Sequence, residues 1–245
     1  MPSITKKRLE IVSNLPLNHN CYRLELAGDR IPAVSPGQFV QIEVPGKYLR
    51  RPISVHDASE DRIVLVYKTV GEGTLALSDM VPGQCLEVLV PLGKGFDAAL
   101  CKGRALLLGG GLGSAPLYLL AKELLASGKQ VSAVLCFNTA ADVVLTDAYM
   151  ALGIDPVIVT MDGSCGIKGI VTDAPLPPHD CFYTCGPLPM MRAVCRSLEG
   201  PGQLSMEERM GCGAGFCYGC TINTAGGPAR VCADGPVFKK EDILW

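Results

Sequence analysis

Four cysteines near the C-terminus constrain this chain more than any other feature of its sequence. They follow the spacing Cys212-x4-Cys217-x2-Cys220-x11-Cys232. The first three match the C-x4-C-x2-C loop of plant-type [2Fe–2S] sites, which a distant fourth cysteine completes. Such a cluster needs four thiolates, two on each iron. Glycines are interleaved with these cysteines, and glycine lets the backbone approach closely and direct N–H groups at sulfur. The spacing therefore predicts a [2Fe–2S] cluster on these four residues.

Zinc and the absence of any metal are the competing interpretations of the same four cysteines. Zinc ligands usually come as two short pairs, a pattern that this spacing fits poorly. The chain has 12 cysteines in 245 residues, and no apolar stretch follows the basic residues at its N-terminus. We therefore expect a cytoplasmic location, where clustered thiols more often bind metal than form disulfides. Most of the other eight cysteines are expected to be small buried residues.

Charge and hydropathy argue against two classes of partner. The formal net charge is -2 and no basic run is present, so nothing favours nucleic-acid binding. The longest apolar run, residues 105–121, is broken by glycines, a serine and a proline. We expect a buried strand, a turn and a helix there, and no membrane span.

The chain divides into three segments, so we expect a multi-domain protein. Residues 1–97 contain β-rich runs separated by Gly, Pro and Asp, which is typical of a small antiparallel β-barrel. Residues 98–200 alternate apolar strands with helical patterns, including 142–152 and 188–198, and predict an α/β doubly wound parallel sheet. Residues 201–245 hold the four cysteines, show little regular structure, and are expected to form a small cluster domain.

Two short motifs in the first segment are candidates for binding a flavin dinucleotide. In RPIS, residues 51–54, the arginine can pair with a pyrophosphate and the serine hydroxyl can reach the isoalloxazine ring. VYK, residues 66–68, is followed by GEGT and a helix predicted over 74–80, which would offer N–H groups and a hydroxyl to an anion. Taken alone, RPIS would more often be an exposed arginine at a strand end, so only the combination indicates a flavin.

Two loops in the second segment follow apolar strands and are candidates for binding a nucleotide. Gly110, Gly111 and Gly113 lie between a strand and a helix, although a proline replaces the third glycine of strict G-x-G-x-x-G. CGP, residues 185–187, ends another strand, and the carboxyl ends of parallel strands form the usual ligand crevice. Either loop alone could be a tight turn without a ligand. Residues 138–141, NTAA, offer no Arg or Lys to a 2′-phosphate, so NAD is favoured over NADP.

Together, PGQFV, RPIS, GEGT, GGGLGSAP and CGPLPM resemble, in this order, the motifs of the ferredoxin-NADP reductase superfamily. The C-terminal SMEERMGCGAGFCYGC and VCADGPVF resemble the electron-transfer subunits of NAD-dependent dihydroorotate dehydrogenases, in which a flavin barrel, a nucleotide domain and a cluster domain follow one another. The resemblance implies FAD contacts on Arg51, Pro52, Ile53, Ser54, Val66, Tyr67, Lys68, Gly73 and Thr74. The nucleotide contacts predicted from the two loops are Gly110, Gly111, Gly113, Cys185, Gly186 and Pro187.

The same resemblance implies an oxidoreductase subunit that relays electrons. Dihydroorotate would be oxidised at FMN in a separate catalytic subunit, a step of pyrimidine biosynthesis, and the electrons would pass through the [2Fe–2S] cluster and FAD to NAD. The chain lacks a second barrel of roughly 250 residues, so it should not act on dihydroorotate alone. Two subunits of each kind would form a heterotetramer. Hydride transfer needs no side-chain acid or base, so no catalytic residue is predicted, and Ser54 and Cys185 are candidates for positioning flavin and nicotinamide.

Two further interpretations stay open from the sequence. A ferredoxin:NAD(P) reductase-type subunit of an electron-bifurcating or sulfide-linked complex would share the same three parts. A zinc-binding scaffold that keeps the fold would be no enzyme at all. Phe216, Tyr218 and Phe238 are expected near the cluster, either as exposed docking residues for a partner or as the core of the small domain.

Overall fold

The computed structural model describes residues 4–245, and its N-terminal part is a closed antiparallel barrel. Alternate residues such as Leu24 and Leu26, or Ile63 and Leu65, fill the barrel, because successive side chains of a strand face opposite sides. The six strands are β1 (Thr5–Pro16), β2 (Cys21–Ala27), β3 (Phe39–Glu43), β4 (Arg51–Ala58), β5 (Arg62–Lys68) and β6 (Cys85–Leu92), paired in the order β1-β2-β5-β4-β3-β6. Helix α1 (Glu72–Ser78) begins two residues before the predicted 74–80.

A seven-stranded sheet follows the barrel and confirms the predicted doubly wound arrangement. Its strands are β7 (Arg104–Gly110), β8 (Gln130–Phe137), β9 (Val157–Thr160), β10 (Ile167–Lys168), β11 (Cys181–Cys185), β12 (Gly202–Ser205) and β15 (Val237–Lys239), in the order β10-β9-β8-β7-β11-β12-β15. All neighbours are parallel except β12 and β15. Strands β8, β9 and β10 lie on one side of β7, whereas β11 and β12 lie on its other side, so the strand order reverses between β7 and β11. The carboxyl ends of β7 and β11 therefore flank the switch point, where ligands bind in such sheets.

Three α-helices accompany this sheet: α2 (Ser114–Ala126), α3 (Thr146–Ala151) and α4 (Leu188–Ser197). The last matches the predicted 188–198, but α3 is shorter than the predicted 142–152. The chain there makes a 3-10 turn at Ala140–Asp142 and then leaves helical geometry, because Val143 is extended and Leu145 has φ of 68°. No helix in residues 4–245 has the length and apolar character that a bilayer crossing demands.

The cysteine-rich segment has more regular structure than its sequence predicted. β12 and β15 are neighbours in the seven-stranded sheet, which is called the nucleotide sheet below after its predicted nucleotide loops. The chain between these two strands forms a separate hairpin of β13 (Thr221–Thr224) and β14 (Gly227–Arg230). These strands have only three or four residues each, which is too short for a periodic pattern to be recognised. The predicted domain bounds of 97/98 and 200/201 stay a prediction. The second bound falls just before β12, a strand that the cysteine-rich segment contributes to the seven-stranded sheet.

Strand β4 and helix α2 fix the barrel against the nucleotide sheet. His56 is 4% exposed, its Nδ1 hydrogen-bonds to the carbonyl of Ala115 at 2.9 Å, and its ring stacks on Tyr118 with centroids 4.4 Å apart. Beside it, Lys122 Nζ contacts both carboxylate oxygens of Asp57 at 2.7 and 2.9 Å. Burial lowers the pKa of His56 to about 4, so the neutral ring is the form that packs here.

Candidate functional site

Cys212 lies in a loop whose backbone is directed at its sulfur. Three backbone N–H groups donate to Cys212 Sγ at N···S distances of 3.2–3.4 Å, namely those of Ala214, Phe216 and Cys217. Burial alone would raise the pKa of Cys212, but these donors and the thiol of Cys217 outweigh burial and lower it to about 6. The loop therefore stabilises a thiolate, the form that binds iron.

The four thiols form two pairs. The N–H of Cys217 donates to the sulfur of Cys212 at 3.4 Å, and the N–H of Cys232 donates to the sulfur of Cys220 at 3.4 Å. Across residues 4–245, no three histidine, cysteine or acidic side chains converge as a single metal ion requires. Two thiolates for each of two irons is what a [2Fe–2S] cluster needs, so the donor set fits that group better than it fits one zinc ion.

Glycines give the cysteine loop the close approaches that larger residues would block. Gly213 and Gly215 have φ of 66° and 86°, a region that other residues rarely adopt. A side chain on Gly211 would begin 3.3 Å from the sulfur of Cys217. Arg230 closes the loop from outside by donating to the carbonyl of Gly215 at 2.7 Å. The glycine positions therefore suit a loop wrapped around sulfur, as the sequence predicted.

The aromatic residues near the loop divide into two classes. Phe216 is 82% exposed and Tyr218 is 65% exposed, and Cys217 between them is exposed as well. Phe238 is 8% exposed and packs with Cys220 and Cys232 in the same apolar cluster. Of the two alternatives for Phe238, the structure shows core packing, because β15 pairs with β12 and this side chain lies in the core.

The predicted flavin contacts meet at the junction of β4 and α1. The guanidinium of Arg51 donates to the carbonyl of Leu49 and lies directly on Gly73, where any Cβ would collide with it. Thr74 uses its hydroxyl locally, since Oγ1 accepts the N–H of Val70 at 2.9 Å and donates to the carbonyl of Gly71. The guanidinium of Arg51 thus lies on the backbone at Gly73, which is called the cradle below, in space that the Cβ of any other residue would fill. A positive charge held at this position fits a pyrophosphate.

The other predicted flavin residues differ in what they can offer a ligand. Ile53 packs in the barrel core, as does Tyr67, whose hydroxyl donates to Asn14 Oδ1 at 3.0 Å. Val66 is also buried, so these residues have only backbone groups available to a ligand. Pro52 is exposed and Ser54 is half-buried, and Lys68 at the end of β5 is exposed towards a cavity.

A cavity of about 620 Å³ lies between the end of the barrel and the switch point of the sheet. Its wall includes Lys68 from β5, the predicted loop residues Gly110, Gly111 and Gly113, and Gly186 and Pro187. Gly111 has φ of 54°, and nothing lies within 4 Å of the position of its missing Cβ. Helix α2 begins directly after this loop, so its first N–H groups face the same side. The size and position fit a dinucleotide.

The two loops that frame this cavity are in contact with each other. A Cβ on Gly113 would collide with the backbone of Cys185, and one on Gly186 would lie 2.9 Å from the Cα of Gly110. Cys185 itself is 2% exposed, and burial raises the pKa of its thiol. The structure thus places Gly186 and Pro187 in the cavity wall, while Cys185 lies behind them.

Two polar residues near these sites were not expected from the sequence. Glu207 follows the carboxyl end of β12 by two residues, and its exposed side chain lines the cavity. Its position after a strand of the parallel sheet was the available signal. Gln41 on β3 is fully buried against the cysteine loop, and no local pattern indicates this.

Comparison with known proteins gives three consistent findings. A family model described as the iron-sulfur cluster binding domain of dihydroorotate dehydrogenase B matches residues 207–244. The electron transfer subunit of dihydroorotate dehydrogenase B (NAD(+)) from Geobacillus thermodenitrificans (strain NG80-2) is 41% identical over 256 residues, which cover 98% of this chain and 99% of that protein. The corresponding subunit from Lysinibacillus sphaericus (strain C3-41) is 41% identical over 259 residues with the same coverage.

A solved structure is also similar over nearly the whole chain. It belongs to the NADH-dependent reduced ferredoxin-NADP oxidoreductase, studied for flavin-based electron bifurcation. It is 30% identical and superposes with a TM-score of 0.86, covering 97% of this chain and 90% of that chain. Barrel, nucleotide sheet and cysteine segment therefore recur together in a related protein.

Proposed function

The chain belongs to the electron-transfer subunits of NAD-dependent dihydroorotate dehydrogenase B, and from this premise we propose how its residues divide the work. It is an oxidoreductase component that carries a [2Fe–2S] cluster and FAD and acts with NAD. Cys212 and Cys217 would hold one iron, and Cys220 and Cys232 the other. When bound, FAD supplies both one- and two-electron chemistry, which lets it join a one-electron cluster to a two-electron nicotinamide.

The observation that carries this proposal is the position of the cysteine loop. Cys220 and Cys232 pack against Phe39 of the barrel and Leu204 of the nucleotide sheet in one apolar cluster. Cys217 at the other end of the loop is exposed. A loop fixed on one side to both other parts and open on the opposite side suits a one-electron port between this chain and another protein.

The chain's own residues would bind and orient the two organic groups. Arg51 over Gly73 would pair with the pyrophosphate of FAD, and Ser54 would meet the flavin ring further along β4. Gly111, Gly186 and Pro187 would form the surface on which the dinucleotide lies. The exposed Asn138 and the half-buried Asp142 in the cavity wall offer no positive charge to a 2′-phosphate, which supports NAD as the substrate.

A subunit that transfers electrons requires a catalytic partner. We infer that the partner contains FMN and oxidises dihydroorotate to orotate, and that two copies of each subunit form a heterotetramer. The exposed Phe216 and Tyr218 beside Cys217 support docking at this end of the chain. We also infer a cytoplasmic location, because clustered thiols outside an oxidising compartment more often bind metal than form disulfides.

Two measurements test this function. Addition of NADH to the purified, loaded chain should bleach the flavin absorbance without any partner, and a chain whose flavin stays oxidised would contradict the assignment. Reconstitution with the FMN subunit should then give NAD⁺ reduction by dihydroorotate, and omission of either subunit should abolish it. A colourless protein with stoichiometric zinc would remove the basis of both expectations.

The second candidate function is a subunit of an electron-bifurcating ferredoxin:NAD(P) reductase. The similarity to the reduced ferredoxin-NADP oxidoreductase favours it, but that protein is 30% identical whereas the dihydroorotate dehydrogenase subunits reach 41%. The native partner separates the two. Copurification with a larger subunit that carries two more cubane clusters would support the second candidate and exclude the first.

A further inference from the structure

A buried glutamine side chain lies beside the cysteine loop (residues 211–220), on the strand next to β4, the flavin strand (Arg51–Ala58), and it makes no hydrogen bond within residues 4–245. Gln41 is 0% exposed, and neither its Nε2 nor its Oε1 has a partner among residues 4–245. A buried amide without partners is costly, so native structures rarely contain one unless a water, an ion or a ligand completes it. The amide therefore indicates a group that belongs in this space.

The neighbours of Gln41 identify which group that is. A Cβ on Gly213 would lie 2.6 and 2.8 Å from Cγ and Cδ of Gln41, and closest of all to its Nε2. Gly213 directly follows Cys212, the residue whose sulfur already accepts backbone N–H groups. The amide end of Gln41 is thus the part of this residue that meets the cysteine loop.

The location of Gln41 in the barrel supports the same partner. On β3 its flanking residues Val40 and Ile42 face the barrel core, so Gln41 lies on the outer face. Phe39, on the same outer face, packs with Cys220 and Cys232. The residue opposite Gln41 on the flavin strand is Pro52, whose side chain is exposed and offers the amide no hydrogen bond.

We propose that the Gln41 side-chain N–H donates a hydrogen bond to a sulfur of the [2Fe–2S] cluster and raises the reduction potential of that cluster. The proposal rests on the four-cysteine assignment above. Cluster sulfurs only accept hydrogen bonds, so the amide N–H is the group that Gln41 would offer them. One-electron reduction adds a negative charge to the cluster, and a donor stabilises the more negative state. Outer-shell hydrogen bonds tune metal sites in this way.

The test replaces Gln41 by methionine, which has a similar length and no polar donor. Loss of the N–H should lower the equilibrium constant for one-electron reduction about tenfold, the lower end of outer-shell effects, which corresponds to about 59 mV. The measurement is a redox titration of the loaded full-length chain, followed by the EPR signal of the reduced cluster. The flavin midpoint is read from absorbance in the same titration and should not move.

Gln38 gives a matched control on the same stretch of chain. It is also buried, but its Oε1 accepts the N–H of Ser35 at 2.8 Å and its Nε2 donates to the carbonyl of Gly93 at 2.7 Å. Gln38→Met should lower the melting temperature and leave the cluster midpoint unchanged. Gln41→Met loses no bond within the chain, so the melting temperature of the cluster-free chain should not fall.

Each outcome decides a different point. Gln41→Leu also removes both polar atoms of the amide, and it should lower the cluster midpoint as far as Gln41→Met does. Wild-type cluster midpoints in both variants would overturn the proposal, and so would a shift in the flavin midpoint alone. A wild-type chain without a reduced-cluster EPR signal would instead refute the four-cysteine assignment, and the role of Gln41 would fall with it.

Discussion

Gly73→Ala is the substitution that tests the flavin site most directly. Gly73 is buried in the first turn of α1, and a Cβ there would collide with Nε, Cζ and Nη2 of Arg51. The guanidinium would have to leave its position over the cradle. Hydrogen bonds to charged groups contribute about 1.5–3 kcal/mol, and each 1.4 kcal/mol is a tenfold change in Kd. We therefore expect FAD to bind about 10- to 150-fold more weakly.

The assay is titration of the apoprotein with FAD, followed by quenching of flavin fluorescence. Gly71→Ala is the matched control, because Gly71 begins the same helix, has extended backbone with φ of -173°, and has nothing within 4 Å of its missing Cβ. It should bind FAD nearly as the wild type does. Wild-type affinity in Gly73→Ala, or an equal loss in both variants, would show that Arg51 does not hold the flavin through this cradle.

Three further predictions concern the cluster, the domain interface and the nucleotide. Cys217→Ser should lose the visible bands and the EPR signal of the cluster while the flavin bands remain, whereas Cys85→Ser, an exposed position on β6, should keep both. Burial holds the pKa of His56 near 4, below the ordinary value of about 6.5, so protonation favours the unfolded chain. Stability should be complete above pH 6.5 and fall by up to about 3 kcal/mol as the pH drops towards 4, and His56→Asn should lack this step when melting temperatures are measured against pH. Asn138→Arg should lower the KM for NADPH relative to that for NADH, because it places a cation in the cavity wall; an unchanged ratio would mean that the adenosine ribose lies elsewhere.

Local pattern was enough to predict the barrel and the parallel sheet, while the assignment of the four cysteines as cluster ligands stays a prediction. The alternation in β2 and β5 and the apolar runs of β7 and β8 carry their own periodicity, and the cysteine spacing is a property of one short loop. It was not enough for Gln41. A polar residue between Val40 and Ile42 on a barrel strand is expected to face water, and only the cysteine loop, far along the chain, covers it. Phe238 became buried for the same reason, through pairing of two strands too short to be predicted.

The pairing of β12 and β15 also determines how the cluster is held. These two strands precede and follow the cysteine loop, and both belong to the nucleotide sheet. The N–H of Lys94, just after the last barrel strand, donates to the carbonyl of Gly235 at 2.6 Å. The N–H of Met206, just after β12, donates to the carbonyl of Pro236 at 2.9 Å. The cysteine segment is therefore fastened at its base to both other parts of the chain and is not a tethered arm. Packing and these hydrogen bonds set the position of the cysteine loop relative to the barrel, and they leave Cys217 exposed at its outer end.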